Sequence, residues 1–191
     1  PITATNAKIS GGMGQLQLAI DQNATHVNGL YISDETSNPN SSPPAGHSNS
    51  RIRKLNFSTG LLSTYAGAGG TFTEGADAIS IKLSESSDSI PITSDLNGNL
   101  YYVRENVTGD MTRSIVRIDP SGKVTTIAGG GSIYPSDNQP ITATDAKFSG
   151  GTAQLQLAID QNATHVNGLY ISDDTSNPNS FPPAGHSGSA A

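Results

Sequence analysis

Short runs of alternating apolar and polar residues succeed one another along the chain, separated by stretches of Gly, Asn, Ser and Pro. A period of two places every second side chain on one side of an extended strand, so each run predicts a half-buried β-strand. In the first 70 residues the pattern predicts strands at 15–21, 30–34, 51–56 and 61–66. Asn28-Gly29 reads as a hairpin turn before the second of these, and Ser58-Thr59-Gly60 as the turn before the fourth. A second set follows at 90–95, 100–104, 114–119 and 123–128, and a third begins at 154–160 and 169–172. No long apolar stripe of helical period occurs; 4–9 and 143–148 are read as single helical turns between sets. The residues expected to pack the sheets are Leu18, Ile20, Leu30, Ile32, Ile52 and Leu55, with Ile92, Leu100, Tyr102, Ile115 and Ile118 in the second set.

The three sets are related. PITATNAKISGGMGQLQLAIDQNATHVNGLYISDETSNPN at the start returns as PITATDAKFSGGTAQLQLAIDQNATHVNGLYISDDTSNPN from Pro140, and 43 of the 50 aligned pairs between 1–50 and 140–189 are identical. Packing tolerates many apolar exchanges, so this identity points to recent duplication. NGLYISDE (28–35) is also similar to GNLYYVRE (98–105), which sets a unit of about 70 residues. The organisation read from this is a first unit A at 1–70, a second unit B at 71–139, and a partial return of A at 140–191. Four antiparallel strands per repeated unit predict an all-β fold, a β-propeller of four-stranded blades. Four, four and two strands make about two and a half blades. A propeller needs four to eight, so these residues are expected to belong to a longer array or to assemble from several chains. The segment begins at a unit boundary with no targeting peptide, and the first of those two routes is favoured.

The strings LAID…NGLYISDE…SRIRKLNFSTGLLSTYAGAGG and SDLNGNLYYVRE…RSIVRIDPSGKVTTIAGGG resemble NHL repeats, of the bacterial and protist extracellular type. The order Leu-Tyr, Arg-Ile-Arg-Lys, Thr-Gly, Ala-Gly carries the resemblance. It covers most of the chain, leaving out 36–49, 175–188 and 72–89; in unit B, Val116 and Arg117 replace Arg53 and Lys54. The resemblance implies antiparallel NHL-like propeller blades. It leaves open protein or RNA binding, extracellular ligand binding and, in some relatives, the chemistry of a metal-dependent lyase or lactonase, since fold does not choose function.

Composition narrows these classes. Asn, Ser and Thr make up 58 of the 191 residues, whereas charged residues are 14% against a usual share of about 25%. The net charge is −6 and the ten basic residues are spread out, which disfavours nucleic-acid binding. No apolar run is long enough to insert in a membrane as a helix. Without Cys there are no disulfides, zinc-thiolate sites or thiol nucleophiles.

Candidate chemistry is sparse. The histidines are two residues in two copies, His26 with His165 and His47 with His186, and read as loop residues. The acidic pairs Asp34/Glu35 and Asp173/Asp174 read as turn and fold elements before acid–base or calcium sites. SDLNGN (94–99) lacks the full spacing of a calcium loop and reads as a hairpin turn; 67–70 and 129–131 read as exit turns of outer strands. No catalytic residue, metal ligand or cofactor is assigned. The candidate modification sites are the N-glycosylation sequons at Asn23, Asn40, Asn56, Asn106 and Asn162, all in or beside predicted loops. The expectation is an extracellular or cell-surface structural or adhesive repeat protein without enzymatic activity. It is expected to form filaments, with copies of itself or further repeats as partners, and with glycans or other extracellular proteins as further ones. A propeller-type lyase or lactonase, or a ligand-binding module of a larger protein, is the alternative.

Overall fold

A computed structural model describes residues 1–7, 9, 16–35, 50–84, 90–106, 112–135, 139–149, 155–162 and 164–172. The described residues form antiparallel β-sheets and three 3-10 turns, so the protein is all-β. In the first sheet, β2 (Leu18–Gln22), β3 (Val27–Glu35), β4 (Ser50–Asn56) and β5 (Leu61–Ala66) run as a meander, and β1 (Ile2–Thr3) pairs outside β5. The second sheet repeats the meander with β6 (Ile92–Ser94), β7 (Leu100–Asn106), β8 (Thr112–Ile118) and β9 (Val124–Gly129). A short β10 (Phe148–Ser149) pairs with the start of β8, beyond the end of β9. The third sheet is the hairpin of β11 (Gln156–Gln161) and β12 (Val166–Ser172).

Register shows how completely the unit repeats. Leu30 pairs with Leu55 as Leu100 pairs with Ile118, and a bulge follows Ile52 in β4 as one follows Ile115 in β8. The first strands of the three sheets are neighbours: β6 contacts both β2 and β11. Ser94 Oγ donates to the Ile20 carbonyl at 2.6 Å, and the Leu96 N–H to Gln161 Oε1 at 3.0 Å.

Each sheet has two faces, called here front, the Leu18 and Leu100 side, and back, the Tyr31 and Val103 side. The back of the first sheet (Ala19, Tyr31, Ile52, Ala66) packs on the front of the second (Ile92, Leu100, Tyr102, Ile118, Val124). The back of the second (Val103, Ile115, Ala128) packs on the front of the third (Leu157, Leu169, Ile171), with Leu155, Ala146 and Phe148 closing that core. Burying a side chain of this size contributes roughly 1.5–3 kcal/mol, so these two layers are the main source of cohesion between sheets.

The segment at 71–84, outside the resemblance noted above, is part of the repeat. It runs along β9, where Asp77 bridges Lys123, and then forms a 3-10 turn at Ala78–Ser80. The turn takes N–H bonds from the first sheet's exit: Gly67 to the Ala78 carbonyl at 3.0 Å and Gly69 to the Ile81 carbonyl at 3.1 Å. The same turn recurs at Ala143–Asp145, where Gly131 N–H reaches the Ala146 carbonyl at 3.0 Å, and at Ala4–Asn6.

Three expectations change in detail. Asn28-Gly29 is not the hairpin turn but lies inside β3; Asn23–His26 makes the turn, because Asn23 Oδ1 accepts the N–H groups of Thr25 and His26, both at 3.0 Å. The predicted helical turns are tighter and shorter, 3-10 turns of three residues. Of the expected packing residues in the first sheet, Ile32 and Ile52 are buried and Leu30 and Leu55 half-buried, but Leu18 and Ile20 are exposed. They point to the front, where no sheet of this chain lies among the described residues. All five expected in the second sheet are buried.

Candidate functional site

Each unit joins an Asp at the end of its first strand to a Tyr on its second. Tyr31 Oη donates to Asp21 Oδ1 at 3.0 Å, Tyr101 Oη to Asp95 Oδ2 at 2.8 Å, and Tyr170 Oη to Asp160 Oδ2 at 3.4 Å. Asp21 also holds Lys54 Nζ at 2.8 Å, and that ammonium lies over the rings of Tyr31 and Tyr65 at 5.3 and 5.6 Å. Burial, helped by Tyr65 and Asp21, pushes the Tyr31 hydroxyl far above its ordinary pKa. Burial does the same for Tyr101, reinforced by Asp95, and raises Tyr65 and Tyr102. The Tyr31 and Tyr101 hydroxyls link neighbouring strands through their Asp partners. In sequence the pair is marked only by an Asp before each Leu-Tyr, ten residues ahead of the Tyr in the first and third units and six in the second, a variable spacing that makes no motif.

The residues singled out by chemistry are placed as follows. Asp95 accepts the N–H groups of Asn97 and Asn99, both at 2.9 Å, and the Asn99 amide at 2.8 Å, besides Tyr101. Both its oxygens are engaged in the turn, which makes SDLNGN the hairpin connection between β6 and β7. Asp34 is buried and pairs with Arg53, Nε to Oδ2 at 2.9 Å; Arg53 in turn donates to Thr64 Oγ1. Burial, with Arg53 close by on the same strand, lowers the pKa of Arg51. His26 and His165 are exposed, each with Nδ1 2.7 Å from the Thr hydroxyl before it. Among the described residues no three His, Asp or Glu side chains gather closely enough to hold a metal ion. His47, His186, Asp173 and Asp174 lie outside the described residues, as does the Glu35 side chain.

Asn23 and Asn162 are exposed in identical hairpin turns, with their Oδ1 atoms held by Thr25 and Thr164 N–H at 3.0 Å. Asn56 is half-buried and caps the β4–β5 turn, Oδ1 accepting the Thr59 N–H at 3.0 Å. Asn106 ends β7, and Asn40 lies outside the described residues.

The feature with most capacity to bind is the open front of the first sheet. Leu16, Leu18 and Ile20 are exposed there, beside a shallow pocket of roughly 210 Å³ lined by Pro1, Ile2, Ala7, Arg53, Leu62, Ser63 and Thr64. The same sequence is covered in the third sheet. Leu16 is 46% exposed, while its counterpart Leu155 is 2% exposed against the second sheet. Ile9 is exposed, while its counterpart Phe148 is buried against Gly129. The reverse holds on the back: Tyr31 is 4% exposed and Tyr170 65%. No protein-family model and no curated protein matches the chain.

Proposed function

We propose that this chain is a run of NHL-like propeller blades, with boundaries near 70 and 139, serving as an extracellular or cell-surface structural or adhesive scaffold. It works through its sheet faces and catalyses no reaction. The observation that carries the reading is the paired environment of one repeated sequence. Leu155 is buried and Leu157 half-buried against the preceding sheet, whereas Leu16 and Leu18, at the same places in the first sheet, are exposed. A unit whose apolar face is covered only by a neighbour is made to be stacked, and stacking four-stranded sheets around an axis is what a propeller does. The contacts between first strands, β6 with both β2 and β11, fit such an axis. Low charge, a high share of Asn, Ser and Thr, and exposed sequons in the Asn23 and Asn162 turns support work outside the cell.

Electron cryomicroscopy of the purified protein tests the arrangement. Sheets radiating from an axis, first strands inward, are expected; two sheets closed into a sandwich would end the reading. Secretion from a eukaryotic host followed by peptide mass spectrometry tests the surface. Glycans are expected on Asn23 and Asn162 together, because their turns are alike, and unmodified peptides at both would remove that part.

A further inference from the structure

The two open faces are complementary, and the chain itself shows what each accepts. The front of an A-type unit, seen in the third sheet, takes a sheet back: Val103, Ile115 and Ala128 cover Leu157, Leu169 and Ile171. The back of an A-type unit, seen in the first sheet, takes a sheet front: Ile92, Leu100 and Tyr102 cover Ala19 and Tyr31. Among the described residues the β2 side of an A-type front on the first sheet, at Leu18 and Ile20, and an A-type back on the third, at Ala158 and Tyr170, are left exposed. The register places Leu18, Leu30 and Ile32 on the first sheet where Ile92, Leu100 and Tyr102 stand on the second. The open front is therefore built like the front that Tyr31 already packs against.

We propose that a second copy of this chain docks head to tail. Tyr170 and Ala158 on the back of one copy's third sheet would pack on Leu18, Ile20 and Leu30 on the front of the next copy's first sheet. The inference rests on the stacking of blades proposed above and adds the partner, the faces and the polarity. The contact uses two different surfaces of the chain, so it is heterologous: it propagates, and it closes only if the rotation per copy allows a ring. Each face has its own partner, and neither face pairs with itself.

Sedimentation of the purified 191-residue chain over a range of concentrations, with two variants, tests this. Wild type is expected to form oligomers larger than dimers. Leu18→Asp spoils the front and Tyr170→Lys, whose ammonium can face Asp160, spoils the back; because a charge would be buried at the joint, each alone should weaken association by about 100-fold. Mixed in equal amounts, the two variants retain one good front and one good back, so they should form a dimer and stop there. Both positions are exposed in the single chain, and unchanged circular dichroism and melting would show that folding is intact. A wild type that stays monomeric, oligomers that survive either variant, or a mixture that fails to dimerise or grows past the dimer would overturn the proposal. A third variant separates this from the stacking itself. Leu155→Asp, at the covered joint within the chain, should be strongly destabilised even if copies do not associate. If it melts like wild type, the stacking reading fails as well.

Discussion

Tyr31, Tyr65, Tyr101 and Tyr102 link single side chains to the stability of the sheets. Burial is the leading reason that each has a pKa above the ordinary 10.0. An acid whose folded pKa is raised favours the folded state fully below its unfolded value. That contribution drains away as pH climbs from 10 toward the folded value, because the unfolded chain ionises first. The four tyrosinates are thus expected to appear together with loss of β circular dichroism in an alkaline titration. Their gradual appearance near pH 10 in a protein that stays folded would contradict the burial described. Glycines permit a sharper comparison. Gly122 and Gly129 both have positive φ, 86° and 76°, but a Cβ on Gly122 meets nothing within 4 Å, whereas one on Gly129 lies 2.4 Å from the Arg113 carbonyl oxygen and 2.6 Å from Phe148. Gly122→Ala should lose about 1–2 kcal/mol for the left-handed backbone alone, and Gly129→Ala distinctly more in urea unfolding.

At the scale of the element, the Asp–Tyr pair closes each first hairpin, and its worth follows its surroundings. Removing Asp95 would strand the buried Tyr101 hydroxyl, at about 1–3 kcal/mol, and release two turn N–H groups that are only part-buried. Asp160 is half-exposed, and its Tyr170 partner is 3.4 Å away beside solvent. Asp95→Ala is therefore expected to lower the urea midpoint well below that of Asp160→Ala; equal shifts would show that burial does not set the value of the pair. Strand positions were legible in the sequence because alternation is a local signal. Turns were less so. Asn28-Gly29 has hairpin chemistry, but Asn23 sits where its amide oxygen can gather two N–H groups, and the chain turns there instead. The segment at 71–84 hid its role because its kinship with 140–148 lies in a 3-10 turn and two inward side chains, Ile81 and Leu83 matching Ala146 and Phe148. Few residues are shared, so no string of letters announces it.

For the molecule as a whole, the duplication acts as an internal control that the chain carries with it. Residues 15–34 and 154–173 are identical, so every difference in burial between them comes from neighbours and none from sequence. This also marks the limit of reading the sequence alone. Alternation identifies Leu18 and Ile20 as belonging to an apolar face, and the third sheet shows that face covered, yet no local pattern tells which copy has a neighbour on that side. The candidate site was invisible for the same reason: it is an ordinary packing face left open, with no catalytic motif to mark it. The central claim, that sheets in this protein are held by covering one another's faces, is tested most directly by truncating one leucine in its two settings. At concentrations where the chain is monomeric, urea unfolding of Leu155→Ala should lose about 2–5 kcal/mol, as a buried leucine does. Leu16→Ala, at the same place in the same sequence, should lose no more than about 0.5 kcal/mol. Equal losses at the two positions would contradict the account.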